Sequence, residues 1–171
     1  MASNVEIKAR LRDPAAVAAR ARRLAGAPPA LIEQHDTFYR AARGRLKLRR
    51  FPGGGGELIW YDRPDATGPK TSDYLLCRAD DTAALDAVLA RGLDPVGDVR
   101  KRRHLYLVGR TRVHLDEVAG LGDFLELEVV LAEGEDAAAG RAEADRLLAA
   151  LGIAPDDLVA GAYIDLLAAR E

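Results

Sequence analysis

The chain has 171 residues, enough for one domain with a sizeable core. Charged residues make up 30% and hydrophobic residues 49%, and the formal net charge is -2, so bulk charge supplies no attraction to nucleic acid or to an anionic membrane. The single cysteine, Cys77, excludes a disulfide framework and a cysteine-based metal cluster.

No apolar run approaches the length of a membrane span, and the opening MASNVEIK does not read as a signal peptide. A cytoplasmic protein with neither a nucleic-acid nor a membrane partner is expected. In NVEIKAR, Val5, Ile7 and Ala9 alternate with Asn4, Glu6, Lys8 and Arg10, which is the pattern of a two-faced strand. DPAAVAARARRLAG then predicts a helix, with Asp13 as N-cap, Pro14 at the first position and Gly26 as stop. Further strands are expected near 34–42, 45–51, 56–63, 71–79, 97–108, 111–118 and 123–132, after a first near 3–12. A second helix is expected over DDTAALDAVLARG, capped by Asp80 or Asp81 and stopped by Gly92.

Several smaller features fall along this path. The glycine run PGGGG (52–56) lacks the Lys-Ser/Thr ending of a phosphate loop and reads as a hairpin tip. Of Trp60 and Tyr61, one is expected to face inward and the other to pack in the core. The polar loop RPDATGPKTSDY (63–74) carries Lys70 within reach of a ligand, and Cys77 reads as a small core residue. Gly109-Arg110 suits a two-residue hairpin turn, which sets Arg103 opposite Asp116, Leu105 opposite His114 and Leu107 opposite Arg112. His104 then falls on the outer face. GEDAAAGRAEADRLLAALG and PDDLVAGAYIDLLAAR predict two closing helices. Tyr163 and Asp165 in the last of them either pack it or cover one end of the sheet. Strands that are mostly adjacent in sequence, with few helices between them, predict an antiparallel α+β fold.

Each strand alone reads as the wet face of an ordinary sheet. The set is different, because its charges are sorted by sign. Arg45, Lys47 and Arg49 form one cationic row, and Glu126 and Glu128 one anionic row. Like charges at this spacing repel unless opposite charge lies between them. If the strands close into a barrel with these faces inward, the lumen holds carboxylates (Glu6, Asp116, Glu126, Glu128) and cations (Lys8, Arg45, Lys47, Arg49, Arg63, Arg103, Arg112). Carboxylate oxygens bind Mg²⁺ or Mn²⁺, and Arg and Lys bind phosphate oxygens, so such a lumen suits a metal–polyphosphate complex.

With these residues in place the chain resembles the CYTH superfamily, the triphosphate tunnel metalloenzymes, and within it the class IV adenylyl cyclase-like branch. The family's N-terminal motif E-x-E-x-K is matched by N-V-E-I-K, with Asn4 in place of the first Glu. Its later carboxylates are similar to Asp116 in HLDEV and to Glu126 and Glu128 in FLELEV. Its basic positions are similar to Lys47 and Arg49 in GRLKLR, Arg63 in WYDRP, Lys101 and Arg103 in RKRR, and Arg112 in GRTRVHLDEV.

The resemblance implies one domain over 1–171, built as an eight-stranded antiparallel β tunnel with amphipathic helices packed outside. It implies Mg²⁺ or Mn²⁺ held by Glu6, Asp116, Glu126 and Glu128, and a triphosphate held by Lys8, Lys47, Arg49, Arg63, Lys101, Arg103 and Arg112, to which the cationic row adds Arg45. Lys8 or His114 is the expected proton acceptor, with packing the alternative for His114. The implied activity is conversion of ATP to cyclic AMP and pyrophosphate. Hydrolysis of an inorganic, thiamine or nucleoside triphosphate stays open, as does polyphosphate binding without turnover, which Asn4 favours. The partner is a small molecule, and the protein is expected to be a monomer or a homodimer.

Overall fold

The structure is a computed structural model that describes residues 2–170. Its elements in chain order are β1 (Ala2–Arg10), α1 (Pro14–Ala25), β2 (Ala30–Tyr39), β3 (Arg45–Arg50), β4 (Gly56–Asp62), β5 (Lys70–Ala79), α2 (Thr82–Gly92), β6 (Pro95–Val108), β7 (Thr111–Val118), β8 (Gly122–Val130), α3 (Ala137–Leu151) and α4 (Tyr163–Ala168). The strands close into a barrel in the order β1-β5-β4-β3-β2-β6-β7-β8. Every neighbouring pair is antiparallel. This is the antiparallel tunnel with outer helices that the resemblance implied and that the charge sorting suited. Among the described residues no helix is long and apolar enough to cross a membrane.

Strand alternation decides which side chains line the barrel. On β1, Val5, Ile7 and Ala9 point outward and are buried under helices, while Asn4, Glu6 and Lys8 point inward. The outward faces of β1, β7 and β8 meet α1 and α3 in one apolar layer that includes Ile7, Val113, Leu125, Leu127, Leu147 and Leu151. Asp13 and Asp136 cap these helices by accepting from Ala16 N at 3.0 Å and Ala138 N at 2.9 Å. Gly140 lets α3 approach closely, because a Cβ there would lie 2.8 Å from Val5 Cγ2 and from Leu131 Cδ2.

The Gly109-Arg110 turn forms as expected and pairs Arg103 with Asp116 and Leu105 with His114. His104 faces outward near Glu117. The glycine run is the β3–β4 hairpin tip, closed by Phe51 N donating to Gly55 O at 3.2 Å. Asp81 caps α2, and Tyr61 faces inward while Trp60 lies outside, its Nε1 donating to Arg43 O.

Three expectations need correction. Cys77 is exposed rather than packed in the core. It sits on the outer face of β5, and the nearest helix, α2, lies against β3 instead. β2 begins at Ala30, earlier than its alternation suggested, because β6 runs long enough for Ala30 to pair with Leu105.

The last stretch is not one helix. After a 3₁₀ turn at Pro155–Asp157 the chain runs extended, Val159 N donates to Lys8 O at 2.9 Å, and Ala9 bridges Leu158. Gly161, in the left-handed region at φ 82, then turns it into the short α4. This segment covers the end of the barrel where β1 stops. Phe38, Val99, Phe124, Ala162, Tyr163 and Ile164 pack there as a second apolar cluster. The opposite end is open, with Leu76 46% and Leu107 60% exposed.

Candidate functional site

The lumen has a volume of about 360 Å³. In the strand order β3 and β8 lie four steps apart in either direction, so they face each other across it. β8 and β1 supply the acidic wall, with Glu6 paired to Glu128 and Lys8 to Glu126. β3 supplies the basic wall through Lys47 and Arg49, extended by Lys101 and Arg103 of β6.

Glu6, Lys8, Lys47, Arg49, Arg63, Lys101, Arg103, Arg112, His114, Glu126 and Glu128 all line this cavity. Two of the predicted residues lie elsewhere. Arg45 sits at the covered end, tied to Asp65 at 2.7 Å and Asp165 at 2.8 Å. Asp116 is buried behind the wall and already saturated. Its oxygens accept from Arg103 Nε at 2.7 Å, Arg103 Nη2 at 2.6 Å and Tyr163 Oη at 3.0 Å.

The acidic wall is held open by cations. Glu126 lies 3.3 Å from Lys8 Nζ and 2.6 Å from Arg103 Nη2. Burial pushes its carboxyl up, but Lys8, Lys101 and Arg103 outweigh that and hold it well below the usual carboxylate range. Glu128 is likewise held low, with His114 and Arg103 overcoming burial. Glu6 behaves oppositely. Burial and the neighbouring Glu128 and Glu126 raise its carboxyl against the pull of Arg63, whose Nη1 is 3.2 Å away.

Burial pushes the Lys8 ammonium down to about 8, with Glu126 opposing. Lys8 Nζ also donates to Gly161 O at 2.9 Å and lies 3.9 Å over the Tyr163 ring. Lys47 is likewise lowered to about 8, by burial and then by Arg49. His114 is lowered to about 4 by burial and by Arg103, so its ring is neutral near pH 7.

Two features of the lumen escape the sequence pattern. Asp36, facing inward from β2, accepts from Lys47 Nζ at 2.9 Å and from Arg49 Nε and Nη2 at 2.8 Å each. The β2–β3 hairpin register, which sets Asp36 opposite Arg49, was the signal that could have found it. The second is the Gly161 carbonyl, which accepts from both Lys8 and Arg63.

The donors fit a divalent cation. One ligand atom each from His114, Glu126 and Glu128 lies within 4.8 Å of the others, and among the described residues His114 Nδ1 is buried without a hydrogen-bond partner. The CYTH-domain model matches residues 2–163. The chain belongs to the CYTH family. A comparison with curated proteins gives no significant match.

Solved structures share the CYTH-like barrel of this chain at low identity. A protein of Pyrococcus horikoshii has a TM-score of 0.82 at 22% identity, covering 96% of this chain and 99% of its own. A candidate adenylate cyclase from Vibrio parahaemolyticus has a TM-score of 0.75 at 18% identity, covering 96% and 97%. A chain of the Schizosaccharomyces pombe Mediator head module has a TM-score of 0.65 at 12% identity, covering 88% and 94%. One barrel thus serves settings as different as these, and the chemistry has to be argued from the lumen.

Proposed function

We propose that the tunnel binds an organic triphosphate and converts it by a class IV adenylyl cyclase-like reaction, ATP to cyclic AMP and pyrophosphate. The observation that carries this is the opposition of the two charged walls across one closed lumen. The cations set the phosphate chain. Arg49 and Arg103 offer planar forks, while Lys47 and Lys101 add point charges. The open half of the lumen is lined by Ile32, Ile59, Tyr74, Leu76 and Leu105, which suits a base and ribose better than a bare polyphosphate.

In this reading the ribose 3′-oxygen bonds to the α-phosphorus and the α–β bridging P–O bond breaks. The hydroxyl proton passes to Lys8 Nζ, whose lowered pKa suits an acceptor near neutral pH. The leaving pyrophosphate stays among Arg63, Lys47 and Arg49, whose charges offset the charge it develops. Glu126 and Glu128, with Glu6 beside them, would hold a divalent cation, which would supply charge neutralisation and polarisation of the phosphoryl group. Asp116, saturated by Arg103 and Tyr163, serves to fix Arg103.

Hydrolysis of the same ligand needs the same walls, so product analysis is the test. Purified protein is incubated with Mg²⁺ or Mn²⁺ and, separately, ATP, tripolyphosphate or thiamine triphosphate. Cyclic AMP with pyrophosphate supports the proposal, and orthophosphate replaces it by triphosphatase activity. Tight binding without product leaves a binding module, and no binding of any triphosphate at low salt overturns the tunnel assignment.

A further inference from the structure

Among the described residues His114 Nδ1, buried in the acidic wall, has no hydrogen-bond partner, and the residue is 3% exposed. Its nearest carboxylate oxygen, Glu128 Oε1, is 3.8 Å away. That is too far for a hydrogen bond. It is close to the spacing of two ligands on one ion, which lie about 3 to 3.4 Å apart when each bond is about 2.1 Å. A buried ring nitrogen with no hydrogen bond, in a group whose ligand atoms lie within 4.8 Å of those of Glu126 and Glu128, is a coordinating group in waiting.

A second unpartnered acceptor, Asn4 Oδ1, sits in the same lumen on β1 beside β8. The amide oxygen is a hard donor open to either class of ion, but an imidazole nitrogen among the carboxylates suits a hard ion less well. Mg²⁺ favours all-oxygen octahedral sites and depends most on ligand charge, whereas imidazole suits Fe²⁺, Co²⁺ and Zn²⁺.

We infer that His114 is a metal ligand through Nδ1, and that with Glu126 and Glu128 it forms a one-histidine, two-carboxylate centre selective for a borderline divalent transition metal over Mg²⁺. The inference rests on the metal–triphosphate reading of the lumen but is separable from it, because it concerns metal binding without substrate.

Two measurements test it. Pulsed electron paramagnetic resonance of the Mn²⁺-loaded protein should show coupling to an imidazole ¹⁴N. Calorimetric titration with Co²⁺ and with Mg²⁺ should show the ratio of the two affinities falling about tenfold or more in His114→Asp, which makes the site all-oxygen. Circular dichroism checks that the variant folds. If it does not, the nitrogen coupling in the unmodified protein decides alone. Metal bound with no nitrogen coupling, an unchanged Co²⁺ to Mg²⁺ ratio in a folded variant, or no metal bound at all overturns the inference. A protein that shows nitrogen coupling yet turns over no triphosphate keeps this inference and loses the proposed activity.

Discussion

Asp36 grips Arg49 through two parallel hydrogen bonds of 2.8 Å, on the wall facing Glu126 and Glu128. Lys47 shares the same carboxylate at 2.9 Å. Burial raises the Asp36 carboxyl, but Lys47 and Arg49 overwhelm it and hold the group ionised well below the usual range. The basic wall is therefore a clamp built around one buried anion. Asp36→Asn removes that anion and leaves two cations facing each other. Breaking a buried pair costs about 3–5 kcal/mol, and contact of these cations with lumen water brings this to roughly 2–3 kcal/mol. The melting temperature should fall by about 4–10 °C, read by circular dichroism. Tripolyphosphate should recover most of that loss, since it replaces the missing charge. An unchanged melting temperature would remove Asp36 from the clamp.

What the chain disclosed in advance follows from periodicity. NVEIKAR, GRLKLRR and FLELEVVL each obey period two, and a tight turn at Gly109-Arg110 fixed one register outright. Sign sorting along those strands suggested a charged face turned inward, and the resemblance to the CYTH family supplied the closed tunnel. Asp36 stayed hidden because QHDTFY mixes polar and apolar residues on both faces, and its partner is set by a hairpin loop with no strong turn signature. The C-terminal stretch misled for a different reason. LVAGAYIDLL has helical spacing, but Leu158 and Val159 find backbone partners at Ala9 and Lys8, and tertiary pairing overrides local propensity. His114 was visible as a lumen residue. That its Nδ1 lacks a partner depends on three strands meeting, which no single segment encodes.

The two glutamates of β8 should separate by function. Glu128→Gln removes one carboxylate from the acidic wall while leaving the Lys8–Glu126–Arg103 contacts in place. Metal-dependent turnover should drop by about a hundredfold, with the melting temperature little changed. Glu126→Gln should lose activity and stability together, because it strips a partner from both Lys8 and Arg103. Turnover is measured with saturating metal and a full temperature melt of each variant. Unchanged turnover in the Glu128→Gln, Glu126→Gln double variant would sink the ligand assignment.

Phosphate affinity should carry a pH signature from the basic wall. A polyanion binds the protonated form of Lys47, whose free-protein value is about 8. Below that value affinity is flat with respect to this group. Above it a proton has to be taken up on binding, so log Kd for tripolyphosphate rises by about one per pH unit for each such lysine. Lys47→Arg keeps its charge throughout, because guanidinium does not deprotonate in this range. Titration without metal from pH 7 to 10 should show a slope shallower by about one in that variant. An equal slope in both proteins removes Lys47 from the phosphate contact.

The covered end of the tunnel gives the last test, through Tyr163. Its ring stacks edge-on against Phe124 with centroids 5.1 Å apart, and its hydroxyl donates to Asp116 at 3.0 Å. Tyr163→Phe keeps the ring and drops one hydrogen bond to a charged acceptor, which costs about 1.5–3 kcal/mol. Arg103 still satisfies both Asp116 oxygens, so the lower figure applies. Tyr163→Ala also empties a buried aromatic site, costing roughly 3–5 kcal/mol. It uncovers Lys8 as well, whose ammonium lies over that ring. Water admitted there relieves the burial that lowers Lys8, so its pKa should climb back toward the ordinary lysine range. If Lys8 takes the substrate proton, the rising limb of kcat against pH moves to higher pH in Tyr163→Ala and stays in place in Tyr163→Phe. A profile that is the same in both variants means that Lys8 contributes charge to the site but does not accept the proton.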